Sequence, residues 1–409
     1  MTQAADTRGL GEETGRNREA RIIGLVSAAH FVSHVYIIIL PPLFAFIRAD
    51  YAASYAEIGF AVATFNIVST VLQAPAGFLV DRIAPRNALI LALVVGAAGL
   101  TLIGLLPFYW ALVAGMAVAG VANTIYHPAD YAILAHAVGA KRIGHAFSLH
   151  TFFGMLGTAA TPVCMLFLAE RFGWHGAILG AALIGFVMAA VLLLDRTMVG
   201  AGISGPAPAR AKDAAPVGWR LLLSPAILRN VAFFILLSAG GAGISNFAIV
   251  GLGALHGTPI AVANFALSAF LLANALGVLA GGLLAARTER HDRVAFVGLA
   301  ASALGILGIA LLPLPSAGLV ALLAAAGLFG GIVMPSRDMI VRSVTPGGAF
   351  GKVFGFVSTG FSIGSAIAPL IYGWLMDENE PRLIFLLVAG FTLLALPLIW
   401  QKPASRAPG

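Results

Sequence analysis

The chain has 409 residues, of which 60% are apolar and only 10% are charged, and its mean hydropathy is +0.96. Soluble globular proteins carry about 25% charged residues, so this composition cannot supply an ordinary water-facing surface. It predicts a protein that crosses a lipid bilayer many times, and it argues against a soluble enzyme, a nucleic-acid-binding protein and a secreted domain. The single cysteine, Cys164, excludes a disulfide framework and a cysteine metal cluster.

Apolar stretches of about 20 residues, the helix length that a bilayer core requires, recur along the chain. In chain order they predict twelve spans, at 22–47, 57–80, 87–107, 109–135, 146–169, 175–194, 228–253, 260–286, 294–312, 317–341, 352–376 and 383–401. The expected domains are an N-terminal tail (1–21), a six-helix bundle (22–194), a central loop (195–227), a second six-helix bundle (228–401) and a C-terminal tail (402–409).

The positions of Lys and Arg predict the orientation of the spans, because basic residues are enriched in cytoplasmic segments. With the N-terminus in the cytoplasm, 20 of the 24 basic residues lie on the cytoplasmic side and three on the opposite side. The sequence therefore predicts cytoplasmic tails and a cytoplasmic central loop, in a multi-pass protein of the bacterial inner membrane. This distribution also accounts for the net charge of +7 without a nucleic-acid partner.

The two halves of the chain repeat one another. Five residues recur 207 positions later: Pro128, Gly144, Phe147, Gly157 and Pro162 correspond to Pro335, Gly351, Phe354, Gly364 and Pro369. Both copies begin on the same side of the membrane, because six spans separate them. We therefore expect parallel repeats, an arrangement in which two six-helix bundles hold a binding site between them near the membrane midplane.

A loop motif follows the second span, with the pattern Gly77-x-x-x-Asp81-Arg82-x-Ala84-Pro85-Arg86. With the span count and the duplication, this motif resembles the signature loop of the major facilitator superfamily, which usually has Gly at position 84 and a basic residue at 85. Shorter motifs are similar to the fosmidomycin-resistance branch of that family: His30-Phe31 and Tyr126-His127-Pro128, with Gly144, Gly157 and Pro162. The resemblance implies an all-α membrane protein whose twelve transmembrane helices form two six-helix parallel repeats.

The loop motif supplies the candidate gating residues, which are Gly77, Asp81, Arg82 and Arg86. A carboxylate at a helix end can face the N-terminus of another helix and gain about 0.3–1 kcal/mol from its dipole. The resemblance implies that the partner of Asp81 is the N-terminus of the helix that starts near Gly351. The alternative is that Asp81 and Arg82 form only a solvated turn.

Polar side chains inside the spans are the other candidate site residues, because an ionisable group at membrane depth is costly and usually functional. The rise of 1.5 Å per residue places His30, His127 and His150 in one layer toward the cytoplasm. The predicted substrate or proton path consists of His30, His34, Asn123, Tyr126, His127, Asp130, His150, Asn246 and Arg337. Each histidine has the alternative of a purely structural role.

Asp130 is the one carboxylate well inside the spans of the first half, and His127 precedes it by three residues on the same helix side. We expect this pair to be the site of proton coupling, with His30 and His34 completing the path or contacting the substrate. The alternative is that the pair only braces the cytoplasmic end of its helix.

The ionic partners of two aspartates can also be predicted from spacing. Asp130 is equivalent to Arg337 under the 207-residue offset, and it pairs either with Arg337 or with an arginine of the loop 82–86. Asp338 precedes Arg342 by four residues, the favourable order for a pair on a helix.

The predicted function is proton-coupled secondary active transport of a small molecule by alternating access, and the family resemblance implies that the direction is outward. No nucleotide-binding loop is recognisable, and no spacing suggests a metal site, so neither ATP nor a cofactor is expected. The chain is expected to act as a monomer and not as an enzyme. Alternatives are an uptake carrier for an organic acid, a non-transporting scaffold or receptor, and a multi-spanning enzyme acting on lipids.

We expect both termini to lie in the cytoplasm, because the basic residues are concentrated on that side. A fluorescent protein fused to the C-terminus should fluoresce, and alkaline phosphatase fused after Arg171, on the opposite side, should be active. An inactive fusion after Arg171, together with an active phosphatase at the C-terminus, would reverse the orientation.

Overall fold

The computed structural model describes residues 2–139, 142–198, 219–346 and 349–400, and over these ranges the regular secondary structure is helical. The α-helices there are α1 (Thr2–Ile37), α2 (Phe44–Tyr51), α3 (Tyr55–Arg82), α4 (Pro85–Leu105), α5 (Tyr109–Ala137), α6 (Ile143–Leu194), α7 (Trp219–Leu222), α8 (Pro225–His256), α9 (Ile260–Ala285), α10 (His291–Leu311), α11 (Ser316–Ser343), α12 (Phe350–Asp377) and α13 (Pro381–Ile399). A short 3₁₀-helix, Pro41–Leu43, precedes α2.

Eleven helices in the described part of the chain are long and apolar enough to cross a membrane. One of them, α6, has 52 residues and would be about 78 Å long if it were straight, far more than one span needs. Its helical geometry is broken at Gly173, where φ is 71° and ψ is 164°. Counting α6 as two spans gives twelve and confirms the predicted fold class.

The first predicted span was too long at its C-terminal end. The sequence predicted one helix over 22–47, but α1 ends at Ile37 and a 3₁₀-helix begins at Pro41. Proline has no N–H to donate to the preceding turn and its ring clashes with that turn, so Pro41 and Pro42 interrupt the α-helical hydrogen bonds.

The chain folds as two compact units, each built from several segments. The first unit consists of Met1–Ile37, Val68–Thr158 and His175–Pro206, and the second of Ile38–Ile67, Ala159–Trp174 and Ala207–Gly409. Both α3 and α6 contribute residues to each unit. The domain limits expected from the sequence stay a prediction.

Two of the repeated glycines lie at equivalent helix contacts. Gly157 on α6 lies against α1, where a Cβ would overlap the carbonyl oxygen of Phe31. Gly364 on α12 lies against α8, where a Cβ would stand 2.5 Å from the carbonyl oxygen of Ile235. Such distances are too short for a real Cβ, so these backbones can approach only where the residue is glycine. The sequence repeat therefore marks a contact that is made once in each unit.

In the second unit, α9 and α11 pack through four glycines. Gly277 and Gly281 on α9, and Gly327 and Gly331 on α11, are each spaced by four residues. A Cβ on any of them would overlap backbone atoms of the other helix. Small residues at this spacing let membrane helices approach closely, and van der Waals contact then stabilises the pair.

Filling this contact should destabilise the second unit. We expect Gly281→Val to lower the free energy of unfolding by about 1–3 kcal/mol, because the added methyl groups have no space against α11. Gly282→Val is the matched control, since a Cβ on Gly282 would meet nothing within 4 Å. Thermal unfolding of both variants in detergent measures the difference, and equal melting temperatures would contradict the packing described.

Candidate functional site

Three helices of the first unit bring together four histidines and one aspartate. α1 carries His30 and His34, α5 carries His127 and Asp130, and α6 carries His150. Side chains three or four positions apart share a helix face, so α1 and α5 each contribute two side chains to one place. We call these five residues the histidine cluster. All five were predicted site residues.

Asp130 is the most enclosed member of the histidine cluster, with a side-chain exposure of 0%. Its Oδ2 accepts a hydrogen bond of 2.9 Å from Nε2 of His150, and Nδ1 of His30 lies 3.2 Å from the same oxygen. The rings of these two histidines are stacked with their centroids 3.7 Å apart. The sequence offered arginines as partners for Asp130, whereas these partners are histidines from two other helices.

The outer part of the cluster is formed by His34 and His127. Nδ1 of His34 lies 2.9 Å from Oγ1 of Thr158 on α6, and that hydroxyl donates its own proton to the carbonyl oxygen of Gly154. The ring of His30 lies near both, with centroids 4.5 Å from His34 and 4.9 Å from His127, and the centroids of His34 and His127 are 6.2 Å apart. His127 is exposed, so the cluster is accessible from one side.

Thr158 was not among the predicted site residues. It follows His150 by eight residues, which is close to two helical turns and places both on one face of α6. That spacing was a usable signal, but threonine is common in membrane helices and its role emerges only from its contact with His34.

Two other candidates of the first unit join helices. Nδ2 of Asn123 on α5 lies 3.3 Å from Oγ of Ser69 on α3. Tyr126 is buried and its hydroxyl donates a hydrogen bond of 3.0 Å to the carbonyl oxygen of Ala92 on α4. Hydrogen bonds of this kind hold membrane helices in register.

The candidates of the second unit have local partners. Nδ2 of Asn246 donates to the carbonyl oxygen of Ala242, one turn earlier in α8. Arg337 on α11 pairs with Asp338 at 2.9 Å, and its guanidinium lies 4.6 Å from the ring centre of Phe234. The sequence predicted a pair between Asp338 and Arg342, whereas Asp338 pairs with its neighbour Arg337.

Arg337 also lines a cavity of about 230 Å³ in the second unit. The lining comes from six helices and is mostly apolar, with a few polar groups such as Asn274, Ser302 and Thr392. Asn274 and Ser302 donate hydrogen bonds to backbone carbonyl oxygens of α11, so a donor group of each side chain already has a partner.

The family model of the Major Facilitator Superfamily matches residues 26–245 and 231–408, which together span most of the chain. This chain belongs to the major facilitator superfamily. It is therefore a multi-pass membrane transporter of a family whose members carry small molecules. The two successive matches also agree with the two parallel repeats expected from the sequence.

Relatives with curated names align over nearly their whole length. The Fosmidomycin resistance protein of Escherichia coli (strain K12) is 23% identical over 93% of this chain and 92% of its own. The Multidrug resistance protein MdtH of Salmonella arizonae is 24% identical over 86% of each chain.

Solved structures share the fold of this superfamily member. A bacterial homologue of the human lysosomal transporter Spinster aligns with a TM-score of 0.77 at 12% identity, over 93% of this chain and 96% of that one. The nucleoside transporter NupG aligns with a TM-score of 0.74 at 14% identity, over 92% and 98%. Identities this low support the fold alone.

The superfamily loop motif lies at the end of α3 and the start of α4. Gly77 is within α3, where a Cβ would meet nothing within 4 Å, and Arg82 is exposed at the end of that helix. The side chain of Asp81 lies outside the described part of the structure. The gating contact expected for Asp81 therefore stays a prediction.

Arg86 binds the end of a neighbouring helix. Its Nη2 donates hydrogen bonds of 2.7 Å to the carbonyl oxygens of Leu192 and Leu193, in the last turn of α6. These carbonyls have no partner within their own helix, and the partial negative charge of a helix C-terminus attracts a guanidinium. Arg86 thus fastens α4 to α6 inside the first unit.

Asp195 lies directly after α6 and forms a second polar contact that the sequence did not predict. Its side chain is 2% exposed; Oδ2 accepts a hydrogen bond of 2.7 Å from Nε of Arg21, and Oδ1 accepts one of 2.8 Å from the amide of Thr197. Burial by itself raises the pKa of this carboxyl. The hydrogen bonds from Thr197 and Arg21 outweigh burial and hold the pKa of Asp195 below its usual range.

Removing the charge of Asp195 should destabilise the protein at neutral pH and much less in acid. A lowered pKa in the folded state means that the stabilisation is complete above the unfolded value of about 3.9 and disappears as pH falls through the folded value. We expect Asp195→Asn to lower the free energy of unfolding by about 1.5–3 kcal/mol at pH 7, the range for hydrogen bonds to charged groups.

Thermal unfolding in detergent at pH 7 and at about pH 3, below the unfolded value, measures this dependence. Glu378→Gln is the control, because Glu378 is an exposed carboxylate near the end of α12. A melting temperature of Asp195→Asn equal to that of the wild type at pH 7 would show that the contact contributes nothing.

Proposed function

We propose that this chain is a secondary active exporter, which moves a small molecule out of the bacterial cytoplasm by alternating access and is driven by protons. It works as a monomer in the inner membrane with both termini in the cytoplasm, and it acts as a transporter without enzymatic chemistry or a nucleic-acid partner. This proposal includes the gating and path residues named from the sequence.

The outward direction is supported by the names of two relatives that align over more than four fifths of the chain. One is named for resistance to fosmidomycin and the other for resistance to several drugs. Removal of a toxic compound from the cytoplasm is the way in which a transporter produces resistance. Uptake is the alternative, and the two directions differ in which orientation of membrane vesicle accumulates the substrate.

The observation that carries the proposal is the enclosed carboxylate of the histidine cluster. Asp130 has 0% side-chain exposure, and its partners His30 and His150 come from two other helices. A charge at membrane depth is expensive, and groups of this kind mark substrate and ion pathways in membrane proteins. A scaffold or receptor that only binds partners has no need of such a group.

The first experiment measures resistance, with fosmidomycin as the probe because a relative is named for it. The chain is expressed in a strain of Escherichia coli that lacks its own fosmidomycin resistance protein, and growth is scored against drug concentration. We expect the wild type to raise the inhibitory concentration and Asp130→Asn to abolish that effect. His136→Gln is the control, since His136 is an exposed histidine of α5 outside the cluster.

Everted membrane vesicles then test direction and coupling. Export predicts accumulation of labelled fosmidomycin inside everted vesicles, and proton coupling predicts that adding the drug dissipates an imposed pH gradient. Accumulation in right-side-out vesicles would show uptake instead. Accumulation with no change in the pH gradient would refute proton coupling, and wild-type transport by Asp130→Asn would remove the cluster from the mechanism.

A further inference from the structure

We propose that His30, His34 and His127 bind a divalent transition-metal ion. The sequence suggested no metal site, because only two of these residues lie close together in the chain and the third comes from another helix. The inference goes beyond the proposed function, since it concerns what the cluster binds whether or not the ion is transported.

The three side chains converge on one place. Each offers one ring nitrogen, and the three nitrogens lie within 4.8 Å of one another. Around a tetrahedral zinc ion, ligand nitrogens at about 2.0–2.1 Å from the metal stand about 3.4 Å apart. A contraction of at most about 1.4 Å between these nitrogens would therefore bring them to coordination distance.

The polar contacts of two of these rings, His34 and His30, leave one nitrogen of each free to act as a ligand. The Thr158 hydroxyl donates its proton to the carbonyl oxygen of Gly154, so it accepts a hydrogen bond from Nδ1–H of His34. The lone pair of the His34 ring is then on Nε2. The carboxylate near Nδ1 of His30 favours the same tautomer there. Metal-binding histidines are typically oriented in this way, with one nitrogen held by an oxygen and the other directed at the metal.

Several polar atoms of the cluster are enclosed and have no hydrogen-bond partner among the described residues. They include Nε2 of His34, Oδ1 of Asp130 and Nδ1 of His150. Leaving such atoms unpaired is unfavourable, and more so when the group is charged. A bound cation would take the lone pair of His34 directly, and its charge would offset that of the Asp130 carboxylate.

The position of Gly154 on α6 preserves the space that two of the ligands occupy. A Cβ there would lie 2.6 Å from Nε2 of His30 and 2.9 Å from Nε2 of His34. Both nitrogens thus lie close to one point beside the α6 backbone, and any side chain larger than glycine would displace them. The exposed ring of His127 provides the side from which an ion and a water ligand can enter.

The ligand set selects the class of ion. Imidazole nitrogens suit zinc, copper, nickel and iron, whereas calcium and magnesium require oxygen ligands. Three protein ligands with a fourth position open to water is the pattern of zinc sites that exchange a ligand. The Asp130 carboxylate acts behind His30, as a group that positions the ring and supplies negative charge.

Cobalt(II) is the probe for the test, because its visible absorption distinguishes four-coordinate from six-coordinate sites. The full chain is purified in detergent with a tag that contains no histidine, stripped with a chelator and titrated with Co²⁺. We expect one equivalent to bind with the intense spectrum of a four-coordinate site. Zn²⁺ should displace it, and Mg²⁺ and Ca²⁺ should not.

Variants separate this site from adventitious binding. His34→Gln and His127→Gln should abolish the four-coordinate spectrum, and the exposed His136→Gln should retain it. Thr158→Val keeps every ligand but removes the hydroxyl that orients His34, so we expect its affinity to fall by about 10–100-fold. Gly154→Ala should also lose the site, because its methyl group fills the space of the two rings.

Folding of each variant is checked by its size-exclusion profile and melting temperature without metal. Zn²⁺ should raise the melting temperature of the wild type and leave that of His34→Gln unchanged, because only the folded site binds the ion. Failure of the wild type to bind Co²⁺, a six-coordinate spectrum, or wild-type affinity in both ligand variants would overturn the proposal. Those results would not affect the export and coupling measurements, which need no added metal.

Discussion

A carboxylate at membrane depth must be satisfied by its neighbours, and the first unit is arranged around that constraint. Asp130 is inaccessible to solvent, and removing the partners of such a charge costs several kcal/mol. His30 and His150 belong to different helices, so both reach Asp130 only when α1, α5 and α6 keep one mutual arrangement. The interaction thereby couples the geometry of the candidate site to the packing of the whole unit.

The packing that permits this arrangement depends on small residues. Helices in lipid gain little from covering apolar surface, so close contact between backbones contributes more than it does in water. On α6, Gly157 lets the backbone meet α1, and Gly154, three residues earlier, leaves the space into which His30 and His34 turn. One helix face therefore serves both the stability of the unit and the shape of its polar cluster.

The two repeats place opposite charges at one equivalent position. Asp130 has histidine partners from two other helices, whereas Arg337 takes its neighbour Asp338 and the ring of Phe234. The repeated glycines hold equivalent helix pairs, so the backbone pattern is shared while the charged position differs. The first unit consequently contains a polar cluster, and the region around Arg337 is a mostly apolar cavity.

The sequence by itself determined the number of spans and their repetition in parallel, because hydropathy is a property of single segments, and from the helical rise it predicted a layer of polar side chains. It also determined that α1 and α5 each direct two polar groups to one side. Only the tertiary structure decided which groups meet, since packing sets the rotation of each helix and the identity of its neighbours. For that reason Asp130 has histidine partners where arginines were expected, and the roles of Thr158 and Asp195 emerge only from their contacts with other helices.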